Sequence, residues 1–309
     1  MKQYRSPLAL IRHLPTLALF ALLLCNATAA GAASQEEGSE SARYGMFGLL
    51  DHRSSYGSYW FPEPFRLDET DVDNEVRVDW LHQEGNGHVS DHTSVELEKS
   101  FGLTTVELEI PYQRESQLLV DPVSGNTSHD RSHGIGNIEI SVRRPVYQFV
   151  SGDKFFDNTV GGGFELGIPT NSPISKDFEV VGKVFDALRV GKHFSLQTIA
   201  GYSVLIGPGE GGNRTFEYGA VAGWTLDRHD LAVPHLEQIT PIVELKGERA
   251  LNGESSGEND LSGTAGLRLT FDGFGPFQPR LGIGYVFPIS QVARNDFKWG
   301  VVTSLVFEY

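Results

Sequence analysis

The last thirteen residues, Phe297–Tyr309, alternate without a break. Counting back in twos, Tyr309, Phe307, Leu305, Thr303, Val301, Trp299 and Phe297 form one row, and Glu308, Val306, Ser304, Val302, Gly300 and Lys298 form the other. Successive side chains of a strand point to opposite faces, so this stretch reads as a strand with aromatic and aliphatic bulk on one side. The other side is small, mixed or charged. A strand tilted through a bilayer needs about 9–11 residues, and this one is long enough. Aromatic residues stand at both ends of the apolar row, where a membrane barrel strand carries its interfacial girdle. A strand of a soluble β-sandwich is the competing reading of the same alternation.

The chain also stops on an aromatic residue in strand register. In this it resembles the C-terminal signal of bacterial outer-membrane barrels, an aromatic last residue with apolar residues alternating upstream. That resemblance implies that Leu305, Phe307 and Tyr309 are read by the barrel-assembly machinery.

The other end of the chain reads as a secretory leader over residues 1–32. Lys2, Arg5 and Arg12 make a basic start, Leu14–Leu24 an apolar run too short to span as a helix, and Ala30-Gly-Ala32 a small-x-small cleavage site. Ala27-Thr-Ala29 offers a second one. Cys25 is the only cysteine of the chain and leaves with the leader, as suits a protein that crosses an oxidising periplasm unfolded. Beyond Leu24 no apolar run is long enough for a transmembrane helix. A membrane protein with this sequence must therefore be a closed barrel, since only helices and closed barrels satisfy their backbone in lipid. The formal charge of −15 argues against nucleic acid as a partner and suits a hydrated lumen and loops.

Residues 33–74 precede the regular strands. Ser34–Arg43 is polar and reads as disordered. Tyr44–Leu50 and Tyr56–Phe65 are aromatic, the second broken by Pro62 and Pro64. Two readings stand for this part: a segment tucked into the barrel as a plug, and a periplasmic arm packing its rings at the membrane surface. Asp68–Asp73 reads as a solvated acidic turn.

From Glu75 the alternation recurs strand after strand: Glu75–Leu81, Thr93–Glu98, Thr105–Tyr112, Asn137–Arg143, Thr159–Ile168, Glu179–Val190, Phe194–Val204, Phe216–Leu226, Glu237–Leu245, Leu261–Phe271, Phe277–Phe287 and the C-terminal strand. About twelve is an even number, as bacterial single-chain barrels have. With the C-terminus periplasmic, the outer links are Gln83–Asp91, Gln113–Gly134, Thr170–Asp177, Ile206–Arg214, Lys246–Asp260 and Pro288–Asn295. The inner links Lys99–Gly102, Gly191–His193 and Asp272–Pro276 are tight, while Val150–Asp157 and Asp227–Leu236 are longer than the pattern asks. The expected fold is all-β: an antiparallel transmembrane barrel over residues 75–309.

Gly134-Ile-Gly-Asn-Ile138, with Arg143-Arg144 a few positions on, resembles the Gly-x-Gly-Asp turn of the outer-membrane family labelled "MetA-pathway of phenol degradation". Asn137 stands where that family usually has Asp. Gly163-Phe-Glu-Leu-Gly-Ile-Pro-Thr170 is similar to the family's next strand. The likeness covers roughly Glu75 to Tyr309, on short glycine-based motifs. It implies a barrel that passes small molecules, often aromatic or hydrophobic, and it brings no catalytic residues.

The densest chemistry is the polar row of the strands: Glu75, Arg77, Asp79, Glu96, Glu98, Glu107, Glu109, Glu139 and Arg143, joined later by Arg268, Arg280 and Lys298. If the apolar rows meet lipid these must face the lumen, because a charge on the lipid face costs roughly 2–4 kcal/mol at the midplane. A cation-preferring constriction is one reading. A salt-bridged network that stiffens the barrel is the other. His88, His92, His129 and His133 fall in expected outer loops, and His193, His229 and His235 in inner turns, without metal-site spacing. No Gly-x-Ser-x-Gly elbow occurs and no His falls beside a Ser at matching depth, so an enzyme is not expected. Gly207–Gly212 lacks the Lys-Ser/Thr of a phosphate cradle. No metal and no cofactor is expected. The partners expected are outer-membrane lipid, the assembly machinery and a small-molecule permeant. The function expected is passive passage of small molecules across the outer membrane. A non-transport barrel, structural or lipid-modifying, is the alternative.

Overall fold

The computed structural model describes residues 61–70, 74–120, 127–153 and 155–309. The leader, Ser34–Arg43, Tyr44–Leu50 and the first half of the aromatic run lie outside them. The strands are β1 (Glu75–Gly85), β2 (His88–Phe101), β3 (Thr104–Val120), β4 (Thr127–Ile135), β5 (Ile138–Val150), β6 (Phe156–Ile168), β7 (Phe178–Val190), β8 (Phe194–Ile206), β9 (Arg214–Trp224), β10 (Leu226–Asp227), β11 (Leu236–Ala250), β12 (Asn259–Phe271), β13 (Gln278–Pro288) and β14 (Trp299–Glu308). Two short helices, α1 (Arg228–Leu231) and α2 (Gln291–Asp296), sit in links.

Successive strands pair antiparallel apart from two breaks, and β14 pairs with β1 to close the ring. β4 and β5 both pair with β3 and form one stave broken at Gly136–Asn137. β9 and β10 both pair with β11 and form another. The result is a closed antiparallel barrel of twelve staves, with β4 extending beyond the ring on β3 alone. Asn74 fastens the seam: its side-chain oxygen accepts from Ser100 N–H at 2.9 Å and its carbonyl from Tyr309 N–H at 2.9 Å.

The alternation decides which way each side chain points. Val78, Trp80, Val95, Leu97, Ile110, Val142, Ile283 and Leu305 are exposed, whereas Glu75, Arg77, Glu98, Thr264, Arg268, Ser304 and Glu308 are buried. A water-soluble chain does the reverse. Ring clusters mark both ends of the outward face. Phe274, Phe277, Phe307 and Tyr309 meet at the end where the chain leaves the barrel, and Trp80, His82 and Trp299 meet at the other. These are the two girdles of a membrane barrel.

Five expectations need correcting. Asp68–Asp73 is not a solvated turn over its described part, since Glu69 and Thr70 are buried and Asp68 pairs with Lys183. Gln83–Asp91 and Gln113–Gly134 are not mainly loop, because β1 and β2, and β3 and β4, run on through them as paired ribbon. The backbone ladder continues after the apolar period has ended, since its hydrogen bonds do not depend on which side chains it carries. His88, His92, His129 and His133 consequently lie in β2 and β4. Gly134–Ile138 is a break inside one stave, with strand on both sides, and Gly136 N–H donates to Pro111 O at 2.9 Å. Phe297 does not join the outward row: α2 turns it inward, buried beside Ala293.

Candidate functional site

The interior is not left to the wall alone. Residues Phe61–Thr70 lie within the barrel, bonded to strands on all sides. Pro62 and Pro64 have no N–H to donate, so this segment cannot join a ladder as a central strand does. Its carbonyls are taken up by wall side chains instead. Gln197 Nε2 donates to Pro62 O at 2.6 Å, Arg268 Nε to Glu63 O at 3.0 Å, and Arg77 Nη2 to Pro64 O at 3.0 Å and Phe65 O at 3.2 Å. Its free N–H groups find a carboxylate. Phe65 N–H and Arg66 N–H donate to the two oxygens of Glu244, at 2.7 and 2.9 Å. Arg66 also reaches Ser262 and Thr70 reaches Gln197, at 2.8 and 2.7 Å.

The wall is cut back where this segment seats. A Cβ built on Gly266 would stand 2.6 Å from the Phe65 ring, and one on Gly282 2.7 Å from it. A Cβ on Gly219 would stand 2.4 Å from Leu67, and one on Gly223 2.8 Å from Pro62. Side-chain carbons do not approach so closely, so a side chain at these positions would push on the segment. Arg268 lies over the Phe65 ring, 4.9 Å from its centre, adding a cation–π contact.

Around the seat runs a network of charge. Strand register places Glu308, Glu75, Glu98 and Glu107 in one row across β14, β1, β2 and β3. The next row carries Arg77, Glu96, Glu109 and Glu139. Arg280 joins Glu63 of the segment to Glu308 of the last strand, and Arg268 meets Glu63 at 3.0 Å. Arg77 pairs with Asp79 at 2.6 Å and approaches Glu69 at 3.7 Å. Arg143 pairs with Glu98, with Glu107 at 2.9 Å and with Glu69 at 3.7 Å. On the far wall Lys183 bridges Asp68 and Glu165, both at 2.5 Å. Nearly all these groups are buried, so each guanidinium offsets a desolvation cost that an unpaired carboxylate would carry alone.

Of the polar row singled out in the sequence, Glu75, Arg77, Asp79, Glu96, Glu98, Glu107, Arg143, Arg268 and Arg280 meet in this one assembly. Glu109 and Glu139 sit less deeply on its upper row. Lys298 stands apart, exposed just before β14, its N–H donating to Glu84 O at 2.9 Å. Sequence reasoning missed Glu63, Glu69, Lys183, Gln197 and Glu244. Lys183, Gln197 and Glu244 occupy the inward register of strands whose outward register is apolar, so their periodicity was a usable signal. For Glu63 and Glu69 there was none, since the segment has no period. Leu305 and Tyr309 are exposed on the outward face. Phe307 packs edge-on against Phe274, with 6.5 Å between ring centres, and Lys99 lies 5.5 Å over the Tyr309 ring.

Histidine offers no triad in these contacts. His82 Nδ1 lies 2.9 Å from Asp91, His193 Nδ1 lies 2.7 Å from the Thr225 carbonyl, and His235 Nδ1 lies 3.1 Å from Asp272. The Gly207–Gly212 run is a loop whose Gly209 N–H donates to the Asp177 carboxylate at 2.8 Å.

No protein-family model matches the chain, and no curated protein does. Solved structures do. An outer membrane channel from Pseudomonas putida F1 is 12% identical, covers 81% of this chain and 100% of its own, and superposes with a TM-score of 0.52. The NanC porin is 9% identical over 76% of this chain and 98% of its own, with a TM-score of 0.43. The KdgM porin is 12% identical over 76% and 99%, with a TM-score of 0.38. Likeness to the first, at this identity, speaks for the fold.

Proposed function

We propose that the protein is an outer-membrane channel for passive passage of small molecules, and that the seated segment Phe61–Thr70 sets how far it opens. The outward apolar face with its two girdles places the barrel in lipid, and a leader over residues 1–32 would deliver it for folding by the assembly machinery. The single observation that carries the channel reading is the seat itself. A wall that recedes to glycine at four positions to admit a non-strand segment has an interior that its own strands do not fill. A barrel serving only as a staple could fill the same space from its own strands.

The permeant class follows from the mixed lining. The charged groups share the interior with Val181, Phe185, Val221, Ile242, Val286 and Val302, all buried, and Phe65 of the segment packs with the last four of these. Such a bore suits a molecule with a hydrophobic or aromatic body and no negative charge. Conductance across a planar bilayer tests the proposal. The purified mature chain should give discrete steps with cations passing in preference to anions. A barrel that stays electrically silent, and stays silent after residues 33–70 are deleted, would be a sealed scaffold instead.

A further inference from the structure

We propose that the inner wall of β1 and β2 binds one divalent cation, Ca²⁺ by its ligand chemistry, through Glu75, Glu96 and Glu98, beside Glu69 of the seated segment. The starting point is Glu75. It is 0% exposed, and neither of its carboxylate oxygens has a hydrogen-bond partner. Glu98 gives one oxygen to Arg143 and leaves Oε1 with no partner, also buried. Register sets Glu75 directly opposite Glu98, an arrangement that destabilises a sheet when both are charged. Arg77, two residues on along β1, is committed elsewhere: it spends Nε on Asp79 and Nη2 on the Pro64 and Phe65 carbonyls.

The geometry fits an ion. One oxygen from each of Glu75, Glu96 and Glu98 lies within 4.8 Å of the others, and the same holds for Glu63, Glu69 and Glu75. Ca²⁺ holds its oxygens at about 2.3–2.6 Å, so ligands on opposite sides of it stand at most about 5 Å apart. The donors are all carboxylate oxygen, the hard set that suits Ca²⁺ or Mg²⁺ better than zinc, which favours Cys and His. Mg²⁺ keeps several waters, whereas these donors are buried side by side with little room around them, which favours Ca²⁺. Because Glu75 belongs to both triads, an ion there fastens the seam of the barrel to the segment inside it.

The experiment uses the purified mature chain, folded in detergent without lipopolysaccharide and stripped with a chelator. Ca²⁺ alone is then added in equilibrium dialysis, and unfolding is followed in parallel. About one tightly bound Ca²⁺ per chain is expected. At 100 times its Kd the folded-to-unfolded ratio should rise about 100-fold. Glu75→Gln and Glu96→Gln should each abolish both effects, while Glu248→Gln at the rim should leave them intact. No binding to the wild-type chain at millimolar Ca²⁺ overturns the proposal. So does binding that survives both triad variants, and so does a Glu75→Gln chain that is as stable as a chelator-indifferent wild type, which would mean a proton does the ion's work. If Glu75→Gln does not fold, the wild-type titration and Glu96→Gln decide. The outcome is independent of conductance, so it can fail while the channel stands.

Discussion

Arg280 shows how much one side chain holds. Its guanidinium ties Glu63 of the segment to Glu308 of the closing strand, with all three groups buried. Arg280→Met keeps the bulk and removes the charge, leaving two carboxylates without it. The expected loss is about 3–5 kcal/mol in urea unfolding, the usual cost of breaking a buried pair from one side. Gly282 tests the seat by shape instead. Gly282→Leu puts a side chain into the space of the Phe65 ring, so the segment must leave while the strand keeps its hydrogen bonds. Proteolysis from the periplasmic side should then cut near Phe65 in the variant and spare the wild type. Equal resistance in both would show that the wall yields and the segment stays.

At the scale of elements, the period of two carried most of the information. Every expected strand from Glu75–Leu81 to the C-terminal one lies in a stave, because each must show one face to lipid and the other to the interior. What the period could not show were the places where it stops. The β1–β2 hairpin closes through Asn86 and Gly87 at positive φ, 53° and 81°. Asn-Gly is the pair that a two-residue turn requires there, and it was available to be read. The ribbons beyond Tyr112 and Leu245 open on polar runs, Gln113–Gln117 and Lys246–Arg249, so no apolar alternation carried on into them. Residues Phe61–Thr70 follow no period, and their place could come only from the contacts of Arg77, Arg268 and Glu244. The outward row makes its own prediction. Val95 is 41% exposed at mid-height of β2. Val95→Lys should cost about 2–4 kcal/mol when unfolding is measured in lipid, and far less in a polar link such as Asn252.

For the whole molecule, closure, lipid-facing surface and interior segment have to act together. A closed barrel has no edge from which to fray, so it should resist detergent until heated and then change its mobility on a gel. That experiment concerns the barrel alone and is indifferent to what fills it. The claim that the interior segment governs passage is tested most directly by single-channel conductance of the mature chain and of the same chain lacking residues 33–70, in one bilayer and one salt. The first should give small steps and the second steps several-fold larger, with both proteins equally heat-modifiable. Identical conductance in two equally folded barrels would mean that the segment stands outside the path, and would contradict it.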